Sequence, residues 1–129
     1  MLQLLAIAPG DKAVDIGSGD GRVVISMAKM GAEVVGVEKN SHLTKVSTQN
    51  ISKEKLTEKA KIVYQDMFLH DYRPYNKVVI YQFKTVMSRL EQKLHDELPA
   101  GARIVSNYWQ FPNWKAYKKV DDIFLYVKK

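Results

Sequence analysis

The stretch "VDIGSGDGR", residues 14–22, sets three glycines, two aspartates and one arginine directly behind a short apolar run. The run "KAVDIG" (12–17) reads as a strand that ends in the glycine turn. Behind the turn, "GRVVISMAKMG" (21–31) carries apolar residues at 23, 24, 27, 28 and 30, and Gly31 stops it. That spacing predicts a helix. A strand, a glycine turn and a helix in succession form half of an α/β unit, and the rest of the chain follows the same alternation.

Outward from the turn, "EVVGVE" (33–38) is a buried strand, and Ser41 caps an expected helix over 41–55 whose apolar stripe (Leu43, Val46, Ile51) is thin. Strands are expected at "KIVYQD" (61–66) and "KVVIYQ" (77–82), with Pro74, Tyr75 and Asn76 marking a loop between them. Val86, Leu90, Leu94 and Leu98 recur every four residues and predict a helix over 85–98, ended by Pro99 and Gly101. "ARIVSNYW" (102–109) is a further strand, and the tail (115–129) reads as two strands turning near Asp121 and Asp122. The opening "MLQLLAIAP" (1–9) reads as the end of a helix that packs on the domain. The expected fold is α/β, Rossmann-like and doubly wound: a mostly parallel sheet with an antiparallel C-terminal strand pair, in one domain over 1–129.

The 129 residues suit one core, and 46% hydrophobic content lies well outside the disordered range. The absence of cysteine excludes disulfides and thiolate metal sites. No apolar run approaches the roughly 20 residues of a membrane span, and no basic leader or cleavage site precedes the fold. Together these lead to the expectation of a cytoplasmic protein. The formal net charge of +6 fits an acidic partner, nucleic acid or simple solubility. His42, His70 and His95 share no ligand spacing with each other or with an acidic cluster, so no metal site is expected.

In a doubly wound sheet the ligand lies beyond the carboxyl ends of the strands. Dinucleotide sites there use G-x-G-x-x-G. Here Gly17, Gly19 and Gly21 form G-x-G-x-G, and Arg22 stands where the third glycine belongs. Asp15 and Asp20 flank the turn. A carboxylate 4 Å from a phosphate costs about 4 kcal/mol at an effective dielectric near 20. A cationic ligand without phosphate gains instead, and S-adenosylmethionine is one. Gly17, Ser18 and Gly19 give its amino-acid part a close backbone. Glu38, with Lys39 behind it, ends the second strand, where a carboxylate accepts from ribose hydroxyls. Asp66 ends the third, where it either accepts from the adenine amino group or serves as a turn residue; Met67 and Phe68 would flank the ring.

"DIGSGDGR", "VGVEKN" and "QDMF" resemble the class I S-adenosylmethionine-dependent methyltransferases over nearly the whole chain. The stretch 78–114 has a leucine-rich "L-x-x-K-L-x-x-E-L" helix and, beyond the next strand, an "F-P-x-W" run. It is similar to a small family of protein-lysine methyltransferases, which includes archaeal broad-specificity enzymes and mitochondrial enzymes acting on the ATP synthase c-subunit and the adenine nucleotide translocase. Members usually carry a further N-terminal segment before the point where this sequence starts. The resemblance implies S-adenosylmethionine as cofactor and a protein lysine as acceptor. A lysine must be neutral to attack, at about 4.6 kcal/mol at pH 7 from a reference pKa near 10.4. Apolar walls lower that cost. Tyr81, Trp109 and Trp114 are the expected substrate residues, with Phe83, Tyr108 and Phe111 nearby. No residue is assigned as catalytic, and the sequence leaves the oligomeric state open.

Two alternatives stand beside this reading. A nucleic-acid methyltransferase suits the charge, but base-amine methyltransferases usually carry (Asp/Asn)-Pro-Pro-aromatic where this chain has Tyr81-Gln82-Phe83-Lys84. A non-catalytic S-adenosylmethionine-binding module would bind cofactor without turnover.

Overall fold

The computed structural model describes residues 1–129. A 3-10 turn (Leu2–Leu5) precedes β1 (Lys12–Ile16), α1 (Arg22–Lys29), β2 (Glu33–Glu38), α2 (Ser41–Lys53), β3 (Ala60–Tyr64), β4 (Lys77–Ile80), α3 (Lys84–Glu97), β5 (Arg103–Asn107), β6 (Lys118–Val120) and β7 (Ile123–Val127). All seven strands form one sheet in the order β3-β2-β1-β4-β5-β7-β6. β3, β2, β1, β4 and β5 are parallel, and β7 runs antiparallel to both β5 and β6.

Strand alternation sorts the apolar side chains into two cores. Val14, Ile16, Val78, Ile80, Ile104 and Tyr126 pack with Met87, Leu90 and Leu94 of α3 on one face. Ala13, Val79, Val105 and Leu125 pack with Val24 and Met27 of α1 and Ile51 of α2 on the other. Both faces are covered, as a parallel sheet requires.

Local differences from the expected elements have physical causes. The chain start is a single 3-10 turn rather than a helix end, and Ala6 closes it at φ 53°. Leu5 is nonetheless fully buried beneath the sheet. Lys77 Nζ donates to the Leu5 carbonyl at 2.7 Å, and Arg103 donates to the Leu4 carbonyl through Nε and Nη2 at 3.1 and 2.9 Å. Both cations open their strands, so they clasp the chain start to the amino rim of the sheet. Asn40, not Ser41, caps α2: its side chain accepts from the Leu43 N–H at 3.0 Å, while Ser41 is already helical. On α3 the buried apolar row is Met87, Leu90 and Leu94, continued by Leu98 just past its end, which follows the 3.6-residue period and turns Val86 outward. β5 stops at Asn107 because Tyr108 takes φ 75°, outside any strand conformation. The expected turn at Asp121 joins β6 to β7 with Asp121 at φ 52°.

Candidate functional site

The strand order reverses between β1 and β4, and a crevice opens there beyond their carboxyl ends. A cleft of about 310 Å³ occupies it. Gly17 just after β1, Val37 and Glu38 of β2 with Lys39 behind them, Gln65 to Phe68 after β3, and Tyr81 to Phe83 after β4 form its walls, with Val86 of α3. Its size suits a nucleoside-sized ligand.

The glycine turn is shaped by what it lies against. The N–H groups of Gly17 and Ser18 both donate to the Val37 carbonyl, at 2.9 and 3.2 Å, tying the turn to β2. Gly17 holds φ 83°, and a Cβ there would run into the Gln82 side-chain amide. Gly19 faces open space on the side where a Cβ would project. Its N–H donates to Glu38 Oε1 at 2.9 Å. Ser18 is buried against Gly36, and its Oγ has no hydrogen-bond partner.

Glu38 is buried and bridges two backbones: Oε1 takes the Gly19 N–H and Oε2 takes the Asn40 N–H, each at 2.9 Å. Each oxygen keeps further acceptor capacity, and the side chain lines the cleft. Asp15 lies on the next strand, in register with Gly36. It is buried and accepts no hydrogen bond from the protein; burial first, and then the Glu38 charge, push its carboxyl up to about 7. Asp66 closes a turn, its Oδ1 accepting from the Phe68 N–H at 2.8 Å, and leaves its second oxygen free at the cleft wall. Met67 is fixed through its carbonyl, which accepts from the Tyr72 hydroxyl at 2.7 Å. The Arg89 guanidinium stacks 3.8 Å over the Phe68 ring.

Thus Gly17, Glu38, Lys39, Asp66 and Met67 meet in one cleft, with Tyr81, while Asp15, Ser18 and Gly19 lie beneath or beside its floor. Asp20 does not join them. Its carboxylate pairs with Arg22 at 2.9 Å on the exposed outer side of α1. The Arg22 hydrogen bonds hold its carboxyl below the usual range, so the acidic floor is narrower than the flanking aspartates suggested. Gln65, Val37 and Val86 also line the cleft. Val86 looked like a core position because its four-residue repeat matched the leucines.

A second cleft, of about 680 Å³, lies on the other side of the first turns of α3. Trp109, Tyr108 and Phe111 line it together with Lys84, Met87 and Ser88. The Tyr108 and Trp109 rings meet edge to face at 4.7 Å. Tyr81 and Phe83, 66% and 76% exposed, line the first cleft just before α3. Trp114 lies apart from both clefts. It stacks on Phe111, packs on Tyr126 and His95, and lines a separate hollow with Arg103 and Lys129, at the amino rim of the sheet. The turn through Pro112 carries it away from the strand end.

Residues 15–118 match the model of the ANTKMT methyltransferase domain. The ATP synthase c-subunit lysine N-methyltransferase of Rattus norvegicus is 41% identical over 101 residues, 78% of this chain and 47% of the relative. A protein-lysine N-methyltransferase of Saccharolobus islandicus (strain REY15A) is 33% identical over 98% of this chain and 85% of its own length. The chain therefore spans less than half of the rat relative and most of the archaeal one. Among solved structures, an RNA methyltransferase from Salinibacter ruber in complex with S-adenosyl-L-homocysteine matches with a TM-score of 0.94 at 27% identity, covering 98% of this chain and 86% of that one.

Proposed function

Because the chain belongs to the ANTKMT methyltransferase domain family, we propose that it transfers a methyl group from S-adenosyl-L-methionine to the Nε of lysine in protein substrates. The observation that carries the reading is the cleft at the β1/β4 crevice, walled by Glu38, Asp66 and Tyr81. The donor set fits a phosphate-free nucleoside. Its acidic groups are acceptors with lone pairs to spare, and Lys39 is the one cation in the wall. The archaeal relative supports the acceptor, since it is named a protein-lysine N-methyltransferase and aligns over 98% of this chain.

When bound, the cofactor supplies a methyl group already activated by a sulfonium. The chain's own residues bind, orient and exclude water. Glu38 accepts from the ribose hydroxyls while its backbone partners hold it rigid. The free oxygen of Asp66 accepts from the adenine amino group, and Met67 and Phe68 flank the ring. Asp15, ionised when a cation arrives, supplies the buried negative charge under the amino-acid end. On the acceptor side, Tyr81 and Trp109 surround the incoming amine with apolar surface, which disfavours its charged form.

An RNA acceptor is the second reading, favoured by the Salinibacter neighbour and by the +6 charge. The two separate in one experiment: incubation with methyl-labelled cofactor and a cell extract, followed by protease or nuclease. Label released by protease and recovered as methyl-lysine is the expected result. Label released by nuclease overturns the lysine reading, and cofactor binding with no label transferred overturns both in favour of a binding module.

A further inference from the structure

Residues 108–117, between β5 and β6, contain neither helix nor strand, and they carry Trp109. Something must fix such a segment if one wall of a cleft is to keep its shape. Its beginning is pinned locally: Ser106 Oγ donates to the Trp109 carbonyl at 2.6 Å, and the Tyr108 N–H donates to the Asp122 carbonyl at 2.7 Å. Further along, the Phe111 N–H donates to the Tyr126 hydroxyl at 3.0 Å. The segment's far end is tied to β7 by the Tyr117 N–H, which donates to the Leu125 carbonyl at 2.7 Å, and the middle is anchored by one side chain of α3. Glu91 Oε2 accepts from the N–H groups of Asn113 and Trp114, at 2.9 and 2.7 Å, and Oε1 accepts from the Asn113 side-chain amide at 3.0 Å.

Glu91 is 7% exposed and forms no ion pair. A buried carboxylate without a cation is costly unless hydrogen bonds compensate it, and all its compensation comes from this one segment. The stack of Phe111, Trp114 and Tyr126 already supplies apolar adhesion. Adhesion alone leaves the segment free to slide, whereas three directed hydrogen bonds fix its register against α3. That register matters because the same helix, one and two turns earlier, presents Met87 and Lys84 to the cleft that Trp109 lines.

We infer that Glu91 is a positioning residue for the acceptor: it holds the 108–117 segment against α3 so that the Trp109 cleft admits the lysine-bearing polypeptide. The inference rests on the lysine-methylation reading and deepens it. Glu91 lines neither cleft, so it acts through the segment rather than on reacting groups.

The chain's two tryptophans, Trp109 and Trp114, both lie in this segment, so tryptophan fluorescence reports on it alone. In Glu91→Leu, emission shifts to the red. KM for the polypeptide acceptor rises about fivefold or more, with kcat and the Kd for S-adenosyl-L-homocysteine within about twofold of wild type. Glu91→Gln rescues both, because its carbonyl still accepts from the two backbone N–H groups and its amide donates to a rotated Asn113. Unchanged emission, an unchanged KM, or a loss of cofactor affinity matching the loss in KM each overturns the inference. Should Glu91→Leu fail to fold, Asn113→Ala removes the side-chain bond alone and gives a smaller rise in KM; no rise overturns it. A wild-type protein that labels RNA and no polypeptide removes the acceptor reading itself, a failure visible before any variant is compared.

Discussion

Asp15 sits one strand from Glu38, and its buried carboxyl is pushed up to about 7, first by burial and then by the Glu38 charge. The folded protein therefore holds a proton there that the unfolded chain, at the ordinary 3.8, has already released. Between about pH 4 and 7 the folded state binds more protons, so this group's contribution to stability falls as pH rises through that window and levels off above it. Asp15→Asn should be more stable than wild type at pH 8 without ligand, by on the order of 2–4 kcal/mol, and nearly equal near pH 4. Urea unfolding at the two pH values checks this; equal stability at pH 8 contradicts it. A cationic ligand favours the ionised form, so affinity for S-adenosylmethionine should rise about tenfold from pH 6 to 8, with proton release measurable by calorimetry in two buffers.

Glu38 holds two backbone N–H groups and, in the proposed reading, the ligand's ribose as well. Glu38→Ala removes the acceptor for the Gly19 and Asn40 N–H groups, so a stability loss of about 1–3 kcal/mol accompanies the loss of ribose contacts. Affinity for S-adenosylhomocysteine should fall at least about tenfold. Titration calorimetry showing wild-type affinity in the folded variant would remove Glu38 from the site.

Trp109 and Trp114 should separate cleanly. Trp109→Ala should slow methyl transfer more than it weakens cofactor binding, because its ring lines the cleft proposed to take the acceptor. Trp114→Ala lowers stability by about 2–4 kcal/mol through the lost stack on Phe111 and Tyr126, and leaves cofactor affinity unchanged. Equal losses of transfer and binding in Trp109→Ala would take it out of the acceptor path.

Gly17→Ala tests the turn. The new Cβ meets the Gln82 amide and the backbone is held at φ 83°, so cofactor affinity and stability both fall. Adding Gln82→Ala relieves the collision but not the dihedral strain of about 1 kcal/mol, and recovers only part of the loss. A double variant no better than the single one would show that strain alone acts.

Most of the fold was legible because alternating strands and helices imprint two different periods on the apolar residues. That Glu38 and Asp66 wall one cleft was legible for the same reason, since both stand at strand ends that meet at the crevice of a doubly wound sheet. What escaped depended on side-chain direction. Asp20 lies in the glycine turn but rotates outward to Arg22, and adjacency along the chain carries no record of that. Val86 repeats with the leucines yet faces the cleft, because three steps of four residues drift off a 3.6-residue helix. Trp114 shares its short aromatic run with Trp109, but Pro112 and the bonds to Glu91 send it to the opposite rim.

The clasp of Lys77 and Arg103 on Leu5 and Leu4 holds the chain ahead of β1 at the rim away from the β1/β4 crevice. A tag, tether or immobilising surface joined there would leave the crevice open to solution, so an immobilised form of this protein should still take up its small ligand unhindered.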